Sequence, residues 1–133
     1  MTPEKSGKSH KYLVDTSALY PMLLKEINLD KDTFCISTLT EYEVGNILWK
    51  ESKRGDLKDL EQIAQIFYET ITNLEKYKIS SIQEVLTIAI NKSLTFYDAS
   101  YVYIAEINNL ILITEDKDLL KKTKNAISVA DIK

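Results

Sequence analysis

Histidine, cysteine and glycine are scarce in this chain, and each shortage removes a class of chemistry. The 133 residues include one histidine, His10, placed ahead of the first apolar run. A Ser-His-Asp or Cys-His relay needs an imidazole in the folded body, so neither is expected. The one cysteine, Cys35, builds no disulfide framework and no Cys/His zinc site within a single chain. In Phe34-Cys35-Ile36 it reads as a small core residue. Freedom from disulfides fits a reducing compartment, and a cytoplasmic location is expected. The three glycines, Gly7, Gly45 and Gly55, leave no G-x-G-x-x-G loop. Gly7-Lys8-Ser9 imitates the end of a phosphate-binding loop, but Thr2 occupies the first glycine position and no strand precedes it. No apolar run approaches the roughly 20 residues of a membrane helix, and the N-terminus lacks the apolar centre of a signal peptide. A soluble protein with no membrane partner is expected.

What remains is the composition of one globular domain, 44% hydrophobic and 28% charged. The net charge of −3 argues against a non-specific basic coat for nucleic acid. Residues 1–11 are polar and aperiodic and read as a mobile N-terminal tail, with the folded domain spanning 12–133.

Short apolar runs alternate with helical patterns. Tyr12-Leu13-Val14 ends abruptly at Asp15 and reads as a buried strand, followed by a helix over 16–27. A second strand covers 33–36. Long helices follow over 37–54 and 56–75, then a short strand over 77–80. Helices over 81–92 and 95–108 precede a continuous apolar strand over 110–113. A short helix over 116–122 and an edge strand within 126–132 complete the chain. This alternation predicts an α/β fold with three α/β/α layers around a parallel sheet of four to five strands. In such sheets the ligand crevice lies outside the carboxyl ends of the strands.

Four carboxylates fall where such a crevice forms. Asp15 directly follows the first strand, and Asp116 follows the strand over 110–113. Each also suits the N-cap of the next helix. Glu43 lies between Leu39 and Ile47 on one helical stripe, although Thr40 to Glu43 also fits a capping box. Glu41 points away and reads as solvated. Asp98 stands above Tyr101, Val102 and Ala105, and Thr95 to Asp98 fits a capping box too. If the four share one rim, their mutual repulsion makes sense around a shared cation. An all-oxygen donor set suits Mg²⁺ or Mn²⁺ better than zinc. Such ions activate water and neutralise phosphodiester oxygens without any histidine.

Val14-Asp15-Thr16-Ser17, Tyr42-Glu43-Val44-Gly45-Asn46, Tyr97-Asp98-Ala99-Ser100-Tyr101 and Leu112-Ile113-Thr114-Glu115-Asp116 occur in the order and spacing of the PIN domain. They resemble the VapC-type toxins of toxin–antitoxin pairs, over nearly the whole chain from Tyr12 onward. The resemblance implies an Mg²⁺- or Mn²⁺-dependent endoribonuclease with Asp15, Glu43, Asp98 and Asp116 as its catalytic and metal-binding quartet. It gives Ser17 and Thr114 supporting hydroxyl roles and makes Asp118 an additional ligand candidate, although an early helix acid also favours the helix dipole. It further implies homodimerisation and a small antitoxin that blocks the acidic pocket.

RNA needs positive charge away from the acids. Lys50, Lys53, Arg54 and Lys58 form one basic group, and Lys117, Lys121, Lys122 and Lys124 another; both also read as solvated helix faces. Tyr20 and Tyr97 are candidates for stacking on bases. Alternatives are a housekeeping nuclease in RNA processing and a catalytically inactive RNA- or protein-binding module, against which the presence of all four acids counts. A phosphoacceptor receiver needs an acidic pair at the first strand, where Asp15 stands alone.

Overall fold

The computed structural model describes residues 10–55 and 59–132. Most of the expected tail, with Gly7-Lys8-Ser9, lies outside the described residues, as does Lys58. Lys133 does too. His10, which the sequence places in that tail, is buried beside the sheet. Its Nδ1 lies 2.8 Å from the Tyr77 hydroxyl, and its Nε2 lies 3.0 Å from the Lys31 carbonyl.

The order of elements is β1 (Tyr12–Val14), α1 (Thr16–Leu24), β2 (Phe34–Ser37), α2 (Thr40–Arg54) and α3 (Leu60–Thr72). There follow β3 (Glu75–Tyr77), α4 (Ile82–Lys92), α5 (Phe96–Ile107), β4 (Ile111–Ile113), α6 (Lys117–Lys122) and β5 (Ala126–Ile127), with a final 3₁₀ turn over Val129–Asp131. All strand pairings among the described residues are parallel, in the order β3-β2-β1-β4-β5.

Strand periodicity explains the three layers. Side chains alternate across a sheet. Tyr12, Val14, Phe34, Ile36 and Ile113 face one cluster, closed by Ala18, Leu19 and Met22 of α1, Val44 of α2 and Phe67 and Ile71 of α3. Leu13, Cys35 and Leu112 face the other, closed by Val85 and Ala89 of α4, Val102 and Ile104 of α5 and Leu119 of α6. Both faces are dry, so the central strands read as unbroken apolar runs. Cys35 is buried as expected, and burial pushes its thiol up to about 12.

Several boundaries differ from those read in the sequence. The third strand lies at Glu75–Tyr77, earlier than 77–80, because Lys76 and Tyr77 pair with Ile36 and Ser37. The first long helix begins at Thr40, later than 37. Ser37 still belongs to β2, its hydroxyl accepts from Leu39 N, and Thr40 Oγ1 accepts from Ser37 N. Thr40 therefore heads no capping box with Glu43. The closing strand is only two residues long, because Glu115 Oε2 takes the Val129 amide at 2.6 Å and turns the chain off the ladder. Gly55 ends α2 in the left-handed region, φ 71°, a conformation glycine adopts without a Cβ penalty.

β1 connects onward to β2 on one side, and β4 flanks it on the other. The order of strands reverses between β1 and β4, which opens a crevice beyond their carboxyl ends. No helix among the described residues is long and apolar enough to cross a membrane.

Candidate functional site

Asp15 sits at the mouth of that crevice, as the N-cap of α1. Its Oδ1 accepts from Ser17 N at 2.7 Å and from the Ser17 hydroxyl at 2.6 Å, and its Oδ2 accepts from the Thr114 hydroxyl at 2.6 Å. Thr114 Oγ1 in turn accepts from Asp116 N at 3.0 Å, and Ser17 Oγ accepts from Glu115 N at 2.9 Å. The hydroxyls of Ser17 and Thr114 therefore tie the end of β1 to the loop after β4. Burial pushes the Asp15 carboxyl above its ordinary range, and those hydrogen bonds hold it partly down.

Glu43 enters from the first turn of α2. Its Oε1 accepts from the Thr16 hydroxyl at 2.8 Å and from the Tyr101 hydroxyl at 2.7 Å. The proton directions are fixed along this chain. Tyr101 gives its one proton to Glu43, so the Thr40 hydroxyl donates to Tyr101 Oη at 3.2 Å, while Thr40 Oγ1 accepts from Ser37 N. The stripe through Leu39 and Ile47 is not the buried face of α2. Ile47 is exposed, whereas Thr40 and Val44 are buried; Glu43 is half-buried beside them, and Glu41 is exposed.

Asp98 stands in the first turn of α5, where Thr95 caps its amide at 3.1 Å. Its carboxyl is pushed up chiefly by burial, then by the charges of Asp116, Asp15, Glu43 and, least, Asp118. The carboxylates of four different segments thus share one field. Asp116 caps α6, with Oδ1 accepting from Leu119 N at 3.0 Å. Asp118 is exposed and pairs with Lys122 at 3.2 Å. No lysine, arginine or histidine among the described residues pairs with Asp15, Glu43, Asp98 or Asp116.

Helix starts concentrate at this rim, and their amide dipoles favour anionic side chains there. Among the described residues no three acidic, imidazole or thiol side chains are already drawn together as a cation-holding group. The carboxylates instead take hydrogen bonds from hydroxyls and amides. The donor set itself consists of oxygens alone, with hydroxyls behind it, which is the chemistry of a hard divalent cation. The functional groups that sequence reasoning missed are the hydroxyls of Thr16, Thr40 and Tyr101. Tyr101 lies in a segment that resembles a PIN motif, yet its position on an apolar helix face reads only as core.

Around the site, Lys117 and Lys121 are exposed, whereas Lys122 donates to Ser93 O and is paired with the Asp118 carboxylate. Lys53 lies over the exposed Trp49 ring, 4.7 Å from its centroid. Tyr97 is exposed, and Tyr20 stacks on Phe67 with centroids 6.0 Å apart. Next to Thr16, a cavity of about 210 Å³ runs between α1, α2 and α3, lined by Tyr20, Val44, Ile47, Leu48, Ile63 and Phe67 among others.

The chain is similar to known proteins over most of its length. A sequence model described as the PIN domain matches residues 12–125. Exonuclease VapC9 of Pyrobaculum aerophilum is 41% identical over 120 residues, spanning 89% of this chain and 90% of the relative. Ribonuclease VapC3 of the same organism is 31% identical over 124 residues, spanning 84% and 94%. A crystal structure of a P. aerophilum protein superposes with a TM-score of 0.84 at 39% identity, covering 90% of this chain and 91% of that one. A chain of a toxin–antitoxin complex from Klebsiella pneumoniae superposes with a TM-score of 0.62 at 21% identity, covering 88% and 96%, a likeness of fold.

Proposed function

This chain belongs to the PIN domain family, and from that premise we propose that it is a divalent-cation-dependent ribonuclease, the toxin of a VapC-type toxin–antitoxin pair acting in the cytoplasm. The observation that carries the reading is the shared field of Asp15, Glu43, Asp98 and Asp116 at the β1/β4 crevice. In this reading those four carboxylates hold Mg²⁺ or Mn²⁺, with Ser17 and Thr114 as supports of Asp15. When bound, the cation supplies an activated water and neutralises charge on the scissile phosphate.

The chain's own residues do the rest. Ser17 and Thr114 spend their protons on Asp15 and hold it oriented. Asp116 keeps its place through the amide of Leu119. Among the described residues none donates a hydrogen bond to the Asp98 carboxylate, which is free to turn toward a cation. Asp118 is committed to Lys122 and stands as an outlying acid rather than a ligand. Lys117, exposed and adjacent to Asp116, is placed to meet an RNA phosphate beyond the acids.

A small antitoxin fits the apolar cavity beside Thr16, where an amphipathic segment can bury side chains against Tyr20, Leu48 and Phe67 and bring a cation toward the acids. The relatives are named both exonuclease and ribonuclease, so the mode of attack is tested directly. End-labelled linear RNA and circular RNA are incubated with the purified chain and Mg²⁺, Mn²⁺ or chelator. Cleavage of the circle is expected, since internal attack needs no free end. Asp15→Asn and Asp116→Asn should each lose roughly a hundredfold or more in rate. Undiminished cleavage in chelator, or by Asp15→Asn, overturns the reading.

A further inference from the structure

We propose that Tyr101 and Thr16 set the cation preference of the site, by occupying one oxygen of Glu43 and so favouring small six-coordinate ions over Ca²⁺. The inference rests on the reading that Glu43 holds a divalent cation. Its basis is a count of lone pairs. A carboxylate oxygen has two. Glu43 Oε1 receives two hydroxyl protons, from Tyr101 at 2.7 Å and Thr16 at 2.8 Å, and is filled. Only Oε2 is left for a cation. Asp15 is restricted in the same way. Its Oδ1 is filled by the amide and hydroxyl of Ser17, and its Oδ2 has given one lone pair to Thr114.

The donors on Glu43 are themselves fixed. Tyr101 is 2% exposed and its oxygen lies 3.2 Å from Thr40, which is anchored to the end of β2 through Ser37 N. Thr16 stands beside the N-cap of α1. Rotating Glu43 to present both oxygens breaks two charge-assisted hydrogen bonds at once. Ca²⁺ gathers six to eight oxygens at long distances and readily takes both oxygens of a carboxylate, whereas Mg²⁺ and Mn²⁺ are content with six ligands, Mg²⁺ keeping several waters. A site in which Glu43 and Asp15 each have one oxygen to give is therefore poorer for Ca²⁺ than one in which both acids are open. Tyr101 acts through Glu43 and is a positioning residue.

The test measures Mn²⁺, Mg²⁺ and Ca²⁺ dissociation constants of the full chain by calorimetric titration, without RNA. Wild type should prefer Mn²⁺ over Ca²⁺. Tyr101→Phe preserves the buried ring, and Thr16→Val removes the second donor. Each should narrow the Ca²⁺-to-Mn²⁺ ratio of dissociation constants by roughly tenfold, the worth of one charge-assisted hydrogen bond. Thr16→Ser, which restores a hydroxyl, should return the wild-type ratio; a general loosening of the fold predicts no such return. An unchanged ratio in Tyr101→Phe and Thr16→Val, with cations still bound, overturns this inference and leaves the nuclease reading standing. Absence of any cation binding by wild type overturns both.

Discussion

At the scale of single residues, each acid at the rim carries two jobs that sequence alone poses as alternatives. Asp15 and Asp116 cap helices and also face the crevice. Capping uses one carboxylate oxygen, so it leaves room for a second role. Their positions after strands are legible because chain direction fixes which end of a parallel strand they occupy. Glu43 is reached through the wrong stripe. Its stripe neighbour Ile47 is exposed, and its half-burial comes from Thr40 and Val44 on the neighbouring line. The Tyr101 hydroxyl is not legible at all, because the oxygen it meets lies 58 residues away along the chain.

Asp98 offers the cleanest test at this scale. Burial, then its acidic neighbours, raise its carboxyl above the unfolded value. A raised carboxyl contributes stability that is fully present below the unfolded pKa and is lost as pH rises through the folded pKa. At neutral pH the ionised group is therefore a penalty in metal-free protein. Asp98→Asn removes that charge and keeps the backbone amide that Thr95 caps. Its metal-free Tm should exceed wild type at pH 7, with the gap closing as pH falls below the ordinary carboxyl range. Added Mn²⁺ should raise Tm of wild type more than of the variant. Thermal melts across pH check this, and a variant Tm below wild type in chelator at pH 7 contradicts it.

At the scale of elements, the pattern of the sequence locates the five strands and six helices within a few residues and misses the 3₁₀ turn over Val129–Asp131, and the misses have local causes. Helix starts shift where hydroxyls serve the turn before the helix, Ser37 accepting from Leu39 N and Thr40 from Ser37 N, since a side chain serving a turn cannot also cap a helix. The last strand shortens because one carboxylate, Glu115, captures an amide the ladder would have used. Two caps of the same kind separate stability from function. Ser81 accepts from Glu84 N and Thr95 accepts from Asp98 N, both at 3.1 Å. Ser81→Ala and Thr95→Ala should each cost about 1 kcal/mol in denaturant melts. Only Thr95→Ala should also weaken Mn²⁺ binding, because α5 starts at the crevice and its first turn carries Asp98. Equal effects of both variants on cation affinity would show that the first turn of α5 does not orient that acid.

At the scale of the whole molecule, burial of both sheet faces follows from strands that are apolar at consecutive positions, which is why the three-layer fold is readable from Tyr12-Leu13-Val14 and Leu110 to Ile113. The surface on which a second copy would dock is not readable in the same way. On α2 and α3, Val44, Phe67 and Ile71 turn inward to the core and Leu48 and Ile63 line the cavity beside Thr16, whereas Ile47, Trp49, Ile66 and Tyr68 stay exposed. A regular apolar stripe lies outside on α4, where Ile82, Leu86 and Ile90 recur every four residues and are 69%, 47% and 69% exposed. At 1.5 Å per residue that stripe is about 12 Å long. A two-fold axis across it sets the same side chains against themselves, and an isologous contact needs no second, complementary patch. The chain is therefore expected to form a homodimer through α4. Leu86→Glu then puts two carboxylates against each other in an apolar contact, at a cost of several kcal/mol. Sedimentation at increasing concentration should show wild type as a dimer and Leu86→Glu as a monomer, its dimer dissociation constant raised by roughly a hundredfold or more. The Mn²⁺-induced rise in Tm should survive the substitution, since Leu86 contributes nothing to the crevice. A wild-type chain that stays monomeric at high concentration, or a Leu86→Glu dimer of undiminished stability, rules out α4 as the contact.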